Sequence, residues 1–254
     1  MFNFFNKKRA ADIIPDHLPF TLDIHSHILP GIDDGSPDIE TSLQLIQGLY
    51  NLGIRKSIAT PHIIGDLYRN TPQTILEALE KVKTACKKAN IKMELSAAAE
   101  YMLDDSFLEL LQKKEPLLTL HKNMLLTEIS YTSTPENLPE ITAGIIAKGY
   151  LPILAHPERY HYYQQNFDAY YHLKEMGFVL QINILSLTGY YGKRAAKAAK
   201  FIVEKELASL VGTDLHHQQH LAALNNEKNR VIFEHSLGNK VYNDLELIHK
   251  ITQL

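Results

Sequence analysis

Cysteine is almost absent from this chain of 254 residues, which has a single one, Cys86. One thiol cannot form an internal disulfide framework, and this composition is typical of a reducing compartment. No run of apolar residues approaches the roughly 18 of a membrane-spanning helix. The opening MFNFFNKKRA places its apolar residues before its basic ones, unlike a secretory signal. The sequence therefore predicts a cytoplasmic protein.

A surplus of positive charge is also missing. The chain has 26 Lys and Arg residues against 29 Asp and Glu, for a formal net charge of −3. Proteins that bind nucleic acid use a basic surface to neutralise phosphates, and the composition gives no sign of one. The sequence therefore argues against nucleic acid as the main partner.

Linkers are lacking as well, since no Pro-, Gly- or Ser-rich stretch divides the chain. We expect one domain over 17–254 after an N-terminal tail over 1–16, because α/β barrels of this length commonly form a single domain. Phe2, Phe4 and Phe5 are expected in a loose or locally docked tail. Docking of these aromatic residues on a membrane face or a partner subunit stays open.

What the chain does contain is an alternation of strand and helix. The predicted strands are mostly continuous apolar runs, as expected of parallel strands covered on both faces; they span 21–25, 54–60, 93–99, 124–130, 151–155, 178–182 and 207–212. One helix is predicted between an N-cap at Ser36 and a stop at Gly53, and a second begins at Pro72. Further helices are predicted over 104–112, 136–148, 167–176, 192–206, 218–226 and 242–252. The pattern predicts an α/β fold with a closed barrel of about seven strands.

Two imidazoles stand where the first predicted strand ends. Because side chains alternate along an extended chain, His25 and His27 lie on the same side of it. Both can therefore bind one metal ion through neutral ring nitrogens, at about 2.0–2.1 Å. The turn-rich loop that follows, PGIDDG, adds the carboxylates of Asp33 and Asp34 beside the same spot. A His-x-His pair alone is weak evidence in a chain with 13 histidines.

The later strands end in residues of the same kind. These residues lie at or just beyond the carboxyl ends of predicted strands: His62, Glu100, Glu128, His156, Asp214 and His216. In a parallel barrel those ends converge on one rim, where active sites lie. Glu100 and Glu128 end apolar runs, where a carboxylate is costly to bury without a cation. The sequence therefore predicts one metal centre built from residues far apart in the chain.

The number of ligand-type residues indicates more than one ion. Five or more histidines and three or more carboxylates exceed what one tetrahedral site needs. Two or three divalent ions are therefore expected, and mixed nitrogen and oxygen ligation suits manganese, iron or zinc. The remaining histidines lie off the pattern and are expected to be surface or structural residues: His17, His121, His161, His172, His217, His220, His235 and His249.

Taken together and in order, these motifs resemble the PHP (polymerase and histidinol phosphatase) superfamily. The matching segments are HSH at 25–27, PGIDDG at 30–35, ATPH at 59–62, AAEY at 98–101, TE at 127–128, AHPER at 155–159 and TDLH at 213–216. More narrowly, they resemble its bacterial capsular-polysaccharide tyrosine phosphatase branch, whose members dephosphorylate bacterial tyrosine kinases that control capsule and exopolysaccharide assembly. The resemblance implies the PHP fold, a distorted seven-stranded (β/α)7 TIM-like barrel, with three metal ions that are usually manganese.

The resemblance also implies roles for individual residues. It implies three overlapping ligand sets: His25, His27, Glu100 and Asp214 around one ion; Glu128 and His156 with Glu100 at a second; and Asp34, His62 and His216 at a third. Arg159 would bind the substrate phosphate, and Arg159 and Asp34 would act in catalysis. One departure concerns a second phosphate-binding arginine, which family members often carry shortly after the last Asp-x-His. This chain has HHQQHLAAL there, and His217, His220 and Arg69 are weak substitutes.

Other phosphatase chemistries fit the sequence less well. A cysteine-dependent phosphatase needs arginine six positions after its thiolate, but Lys92 stands there after Cys86. Cys86 also continues the predicted apolar face of Ile75, Leu79 and Val82. The PGIDDG loop lacks the lysine and serine of a phosphate-binding P-loop. We therefore expect direct, metal-assisted hydrolysis of a phosphomonoester, and tyrosine phosphate is the easier ester because a phenol has a pKa near 10.

Three alternatives stay open. A small-molecule phosphatase, such as one acting on histidinol phosphate, would use the same metals. A metal-dependent amidohydrolase also begins with His-x-His in a barrel, and a barrel retained as a kinase-binding module would have no activity. The partner implied by the resemblance is a bacterial tyrosine kinase that carries phosphotyrosine. Homo-oligomerisation and association with a membrane-bound kinase complex are left open.

Overall fold

Strands and helices alternate through the part of the chain that the structure, a computed structural model, describes: residues 16–113, 115–238 and 240–252. The strands are β1 (Leu22–Ser26), β2 (Lys56–Ala59), β3 (His62–Ile63), β4 (Glu94–Ala97), β5 (Glu100–Met102), β6 (Met124–Glu128), β7 (Leu151–Ala155), β8 (Val179–Asn183) and β9 (Ala208–Gly212). The helices are α1 (Ile39–Asn51), α2 (Pro72–Lys88), α3 (Asp105–Gln112), α4 (Leu138–Ala147), α5 (Asp168–Glu175), α6 (Lys193–Glu204), α7 (Gln218–Asn225), α8 (Glu227–Leu237) and α9 (Leu245–Ile251), with short 3-10 helices at Pro157–Arg159 and Ile184–Thr188. None of the helices in these ranges has the length and apolar character to cross a membrane. Phe2, Phe4 and Phe5 of the predicted tail lie outside the described residues.

The strands form two parallel sheets. Three strands pair in the order β1-β2-β4, and six pair in the order β3-β5-β6-β7-β8-β9. The predicted α/β class with parallel strands is confirmed. The predicted closed barrel of seven strands is not, because the strand pairs within the described ranges leave two separate sheets. The edges of the two sheets nevertheless meet, since Ser26 and Leu215 form an isolated parallel bridge and the Asp214 amide donates to the His25 carbonyl at 2.8 Å.

Most predicted strands and helices lie within a few residues of their observed positions. Strands β6 and β8 are buried along their whole length, which requires side chains suited to burial on both faces and produces the run that sequence patterning detects. The main differences are a strand and a helix that were not predicted. Glu100 begins the separate short strand β5 instead of following one long strand. Helix α8 is absent from the predicted set.

The N-cap of α1 lies two residues after its predicted position. The cap is Asp38, whose side chain accepts a hydrogen bond from the Thr41 amide at 2.8 Å. Ser36, the predicted cap, is buried and donates its hydroxyl to the Asp38 carbonyl at 2.9 Å. Both residue types favour helix starts, so sequence alone does not choose between them.

The apolar face predicted for α2 is confirmed. Ile75, Leu79, Val82 and Cys86 are all buried on this helix. Burial raises the pKa of the Cys86 thiol, which keeps it protonated. A buried, protonated thiol is a poor nucleophile, in agreement with the exclusion of a cysteine mechanism.

The two ends of the strands differ in polarity. At the amino ends, an apolar cluster that includes Leu120, Met124 and Leu210 packs under Ile248 of α9. At the carboxyl ends, the buried side chains include His25, His27, Glu100, Glu128, His156 and Asp214. Among the described residues, the groups that could hold a metal ion therefore lie at the carboxyl ends of the strands.

Candidate metal centre

All nine ligand-type residues predicted near the strand ends lie in one cluster. They form four overlapping groups, and within each group one nitrogen or oxygen atom per residue lies within 4.8 Å of the others. The groups are His27 with Asp34, His62 and His216; His25 with His27 and Glu100; His25 with His156 and Asp214; and His62 with Glu100 and Glu128. Among the described residues, no histidine predicted to lie off the pattern belongs to such a group. The fold therefore brings these nine residues together, and the groups contain no other residue of the described ranges.

Glu100 lies at the centre of this cluster and is fully buried. Its Oε2 atom lies 3.2 Å from His25 Nε2, 3.2 Å from His62 Nδ1 and 3.4 Å from His27 Nε2. Its Oε1 atom lies 3.0 Å from His156 Nε2. Burial alone would raise the pKa of this carboxyl group, but the charges of His25 and His62 hold the pKa well below its usual range. Glu100 is therefore an ionised carboxylate surrounded by four imidazoles.

Three buried atoms in the cluster make no hydrogen bond: His62 Nδ1, Glu100 Oε2 and Glu128 Oε1. His62 Nδ1 lies 2.8 Å from Glu128 Oε1, and burial together with the charge of Glu100 raises the pKa of Glu128. These atoms lie within ion-pair distance of one another, but buried polar atoms that make no hydrogen bond each cost about 1–3 kcal/mol. A divalent cation would satisfy all three atoms and offset the repulsion between the carboxylates. These residues therefore fit a metal site, with the nitrogen and oxygen donors that manganese, iron and zinc accept.

Asp34 forms the solvent-facing side of the cluster. Its side chain is 53 % exposed, and Oδ1 lies 3.5 Å from His62 Nε2 and 3.5 Å from His216 Nε2. The hydrogen bond from His216 lowers the pKa of Asp34 to about 2. Asp34 is thus ionised at neutral pH and accessible to a molecule that enters from solvent.

The first two histidines are oriented by side chains behind them. His25 Nδ1 donates to Gln181 Oε1 at 2.8 Å, and the side-chain Nε2 of Gln181 donates to the Ile182 carbonyl at 2.6 Å. His27 Nδ1 donates to Asp33 Oδ2 at 2.7 Å. In both rings the hydrogen bond at Nδ1 leaves Nε2 free to bind a metal ion. Asp33, which the sequence places beside the site, therefore holds a ligand in position.

Asp33→Asn is expected to weaken manganese binding by about 10–100-fold, the usual effect of losing a carboxylate behind a histidine ligand. The amide has no negative charge to stabilise the Nδ1 proton of His27, so the ring is held less firmly. Titration of metal-stripped protein with Mn²⁺ in a calorimeter measures the change. Asp105→Asn, at an exposed position in α3, is the matched control and should leave affinity unchanged. An unaltered affinity in the Asp33 variant would show that the orientation of His27 does not depend on this carboxylate.

Two residues of the cluster have a left-handed backbone conformation. His156 has φ of 36° and Asp214 has φ of 51°. This region is uncommon outside glycine, and non-glycine residues held there concentrate at functional sites. Each amide is fixed by the neighbouring strand, His156 to the Gln181 carbonyl at 2.7 Å and Asp214 to the His25 carbonyl at 2.8 Å. The sheet thus holds both residues in a strained conformation beside the cluster.

The PGIDDG loop packs tightly against the backbone of His27. A Cβ atom added at Gly35 would lie 2.1 Å from the His27 carbonyl oxygen and 2.5 Å from the His27 Cβ. The amide of Ser36 donates to that same carbonyl at 3.0 Å. A side chain at Gly35 would therefore displace the loop from the strand end that bears the first two histidines.

Gly35→Ala is expected to lower the free energy of unfolding by about 1–3 kcal/mol, as overpacking of a tight interior does. Denaturant melts of the metal-stripped protein measure it without a contribution from bound ions. Gly144→Ala in α4 is the control, because its added Cβ would lie 3.5 Å from Leu111, an ordinary contact. That change should be neutral or stabilising by about 0.5–1 kcal/mol. Equal effects of the two substitutions would contradict the close approach at Gly35.

Arg159 lies at the edge of the cluster between two tyrosine rings. The guanidinium carbon is 4.2 Å from the ring centre of Tyr191 and 5.1 Å from that of Tyr131. One guanidinium nitrogen donates to Asp214 Oδ2 at 2.5 Å, and Asn183 Nδ2 donates to the same oxygen at 3.1 Å. The Arg159 side chain is 21 % exposed. A fixed cation with planar donors, next to the cluster and reachable from solvent, is suited to an oxyanion such as phosphate.

The substitutes considered for a second arginine differ in their surroundings. His220 is buried, and burial together with the charge of His217 lowers its pKa to about 4. It is neutral at physiological pH and therefore unsuited to clamp an anion by charge. His217 is exposed at the N-cap of α7, and Arg69 is exposed with its Nε donating to the Gly65 carbonyl at 2.8 Å.

Comparisons with known proteins identify the family of this chain. The family model described as capsular polysaccharide synthesis, CpsB/CapC, matches residues 21–249. The tyrosine-protein phosphatase YwqE of Bacillus subtilis is 32% identical over 195 residues, which cover 77% of this chain and 77% of YwqE. The tyrosine-protein phosphatase CpsB of Streptococcus pneumoniae is 28% identical over 200 residues, which cover 77% of this chain and 82% of CpsB.

A solved structure shares the fold across nearly the whole chain. It comes from the crystal structures of YwqE from Bacillus subtilis and CpsB from Streptococcus pneumoniae, described as unique metal-dependent tyrosine phosphatases. The TM-score is 0.76 at 29% sequence identity, and the match covers 92% of this chain and 93% of that one. The relatives that share both sequence and fold with this chain are thus metal-dependent enzymes.

Proposed function

This chain belongs to the CpsB/CapC family of capsular polysaccharide synthesis proteins, and we propose that it is a metal-dependent protein-tyrosine phosphatase. Its substrate is a phosphotyrosine-bearing bacterial tyrosine kinase that regulates capsule and exopolysaccharide synthesis. The observation that carries the proposal is the buried cluster around Glu100, with three polar atoms that make no hydrogen bond, directly beside Arg159. The named activities of the relatives support the same reaction.

The nine clustered residues are proposed to hold two or three divalent ions, manganese in the first place and iron or zinc as alternatives. They are His25, His27, Asp34, His62, Glu100, Glu128, His156, Asp214 and His216. Glu100 would be central to this set of ligands, because four imidazoles surround its two oxygens. Bound ions of this kind lower the pKa of water and offset the charge of a phosphoryl group.

The protein's own groups bind and orient the phosphate. Arg159 offers a permanently charged, planar fork to two phosphoryl oxygens, and the rings of Tyr131 and Tyr191 keep that fork at the edge of the cluster. Asp34 is ionised at neutral pH, so it acts as a ligand and proton acceptor and not as an acid. A phenolate leaves with little help from a proton donor because the pKa of a phenol is near 10.

The surroundings of Arg159 favour an aryl phosphate over a small polar ester. Tyr131 and Tyr191 flank the guanidinium group, and Tyr190 packs on Tyr191 with 5.0 Å between ring centres. Tyr190 is also 40% exposed, so aromatic surface extends from the phosphate position towards solvent. The ring of a phosphotyrosine can contact such a surface by stacking or edge-to-face packing.

Phosphate release distinguishes these possibilities. Metal-stripped protein is assayed with a phosphotyrosyl peptide and with histidinol phosphate, before and after manganese is added. Manganese-dependent release from the peptide alone is the expected result. Release from the small ester alone would replace the proposal by a metabolic phosphatase, and no release from either would favour a binding module or an amidohydrolase.

Three further proposals concern the extent of the domain, the closure of the barrel and the location of the protein. We propose a single domain over 17–254, in agreement with the family match over 21–249. We also propose that the two sheets are parts of one distorted seven-stranded barrel, supported by the bridge between Ser26 and Leu215. The substrate kinase implies a cytoplasmic location, beside the membrane if the kinase is membrane-bound.

A further inference from the structure

Helix α6 carries four cations on its exposed face. Lys193, Arg194, Lys197 and Lys200 are all exposed, and at about 100° per residue they fall within an arc of about 120°. We call this set the α6 basic stripe. Within the described ranges none of the four stripe residues takes part in a salt bridge, and Lys197 Nζ lies 5.8 Å from the ring centre of Phe167. A local surplus of positive charge therefore stands out on a chain whose formal net charge is −3.

The first two residues of the stripe are unfavourable for the stability of α6. Lys193 and Arg194 occupy the first two positions of α6, and its first turn has no acidic residue. Cations at a helix N-terminus interact unfavourably with the helix dipole. Helices α5 and α8 follow the usual rule and have an acidic residue in the first turn. Where a sequence breaks a local stability rule without a gain in packing, a functional reason is the natural explanation.

The stripe begins next to the proposed phosphate position. Tyr191, whose ring lies 4.2 Å from the Arg159 guanidinium carbon, precedes Lys193 by two residues. The neighbouring Tyr190 is 40% exposed, and its ring centre lies 5.2 Å from that of His220. From Lys193 to Lys200 the helix rises about 10 Å. An extended peptide that leaves Arg159 along this path would pass the stripe within about five residues of the phosphotyrosine.

We propose that the α6 basic stripe binds anionic side chains of the substrate, carboxylates or further phosphates, within about five positions of the target phosphotyrosine. The inference rests on the proposed function, because it extends the same site along the substrate chain. Charge complementarity identifies the occupant: four exposed cations without ion-pair partners, continuous with a phosphate position, fit an acidic phosphopeptide. Selectivity for such substrates would then come from α6 and not from the metal cluster.

Three phosphotyrosyl peptides of equal length test the proposal: one with neutral flanks, one with glutamate flanks and one with a second phosphotyrosine. They are compared on manganese-loaded wild-type protein and on the triple variant Lys193→Gln, Arg194→Gln and Lys197→Gln. The wild type is expected to prefer the anionic peptides by about 10-fold in kcat/KM, the size expected of a few exposed ion pairs. The variant should lose that preference and treat all three peptides alike. High salt should remove the wild-type preference in the same way.

A second triple variant controls for net charge. Lys81→Gln, Lys87→Gln and Lys88→Gln change the same number of exposed cations on α2 and should keep the preference. Equal rates of the wild type on neutral and anionic peptides, or an equal loss in both variants, would overturn the inference. A preference for the doubly phosphorylated peptide alone assigns the stripe to phosphate, and a preference for both assigns it to anionic groups in general.

A binding measurement separates this inference from the proposed function. Fluorescence anisotropy of the labelled glutamate-flanked peptide on metal-stripped protein needs no turnover. If no peptide is hydrolysed after manganese is added, the proposed function fails, while tighter binding by wild type than by the α6 variant would still support the stripe. Equal binding by the two proteins would reject the stripe whether or not the enzyme is active.

Discussion

Glu100→Gln is expected to lower kcat/KM for a phosphotyrosyl peptide by about 10³-fold or more and to reduce the amount of manganese retained after dialysis. Four imidazole nitrogens lie within 3.4 Å of the two oxygens of this side chain. The amide keeps the shape but removes the negative charge that faces those nitrogens. Loss of one preorganised polar group in an active site commonly costs about 10²–10³ in rate, and a lost metal ion adds to it.

Metal content, measured by elemental analysis on the same samples, shows whether lost activity follows lost metal. Glu109→Gln in α3 is the matched control, since this glutamate is exposed and lies outside the cluster. Thermal melts without metal show whether the Glu100 variant is folded. A folded variant that retained both manganese and activity would remove Glu100 from the metal centre and, with it, the main physical argument for more than one ion.

The proximity of these nine residues could be predicted because two independent rules apply to them. Apolar runs predict parallel strands, and residues at the carboxyl ends of parallel strands share an edge. Histidine and carboxylate at those ends are chemically distinctive, so His62 and Asp214 stand out although 152 positions separate them. The same logic separates them from His121, which lies near Glu246 with 3.0 Å between the ionisable atoms and outside the cluster.

The groups that surround the ligands are harder to predict, because their residue types are common and their role depends on packing. Gln181 lies in the middle of a buried strand, and only the position of the His25 ring makes it an orienting group. Tyr131 and Tyr191 belong to a chain with 13 tyrosines, and no spacing marks the two that flank Arg159. Their rings meet the guanidinium group through tertiary contacts, which a pattern along the chain does not encode.

Closure of the strands into a barrel is difficult to predict from sequence for a similar reason. A hydrophobic run predicts that a strand exists, but hydrogen-bond pairing depends on the register and twist of its neighbours. The predicted third strand, 93–99, corresponds to β4, and Glu100 directly after it begins β5, which pairs in the other sheet. The chain therefore passes from one sheet to the other at Ala98 and Ala99, which are both buried as a strand would be.

Arg159→Lys is expected to lower kcat/KM by about 10²-fold while leaving bound manganese unchanged. Lysine keeps the positive charge but lacks the planar fork that matches two phosphoryl oxygens, and it does not stack between aromatic rings as a guanidinium group does. Removal of one charge-stabilising donor from an active site typically costs about 10²–10³. The result would separate the geometry of the cation from its charge, because the charge is conserved.

The control uses another arginine in the same kind of contact. Arg55 is exposed, and its guanidinium carbon lies 4.3 Å from the ring centre of Tyr50. Its hydrogen bonds go to the carbonyls of Tyr50 and Ile54, which do not belong to the cluster. Arg55→Lys should leave kcat/KM unchanged, so a loss specific to Arg159 reports on the site and not on arginine stacking in general. Arg159→Ala adds a second measurement, since free guanidinium ion should restore part of its activity if the fork binds phosphate. Loss of manganese in either Arg159 variant would assign this residue instead to support of Asp214, whose Oδ2 accepts its hydrogen bond at 2.5 Å.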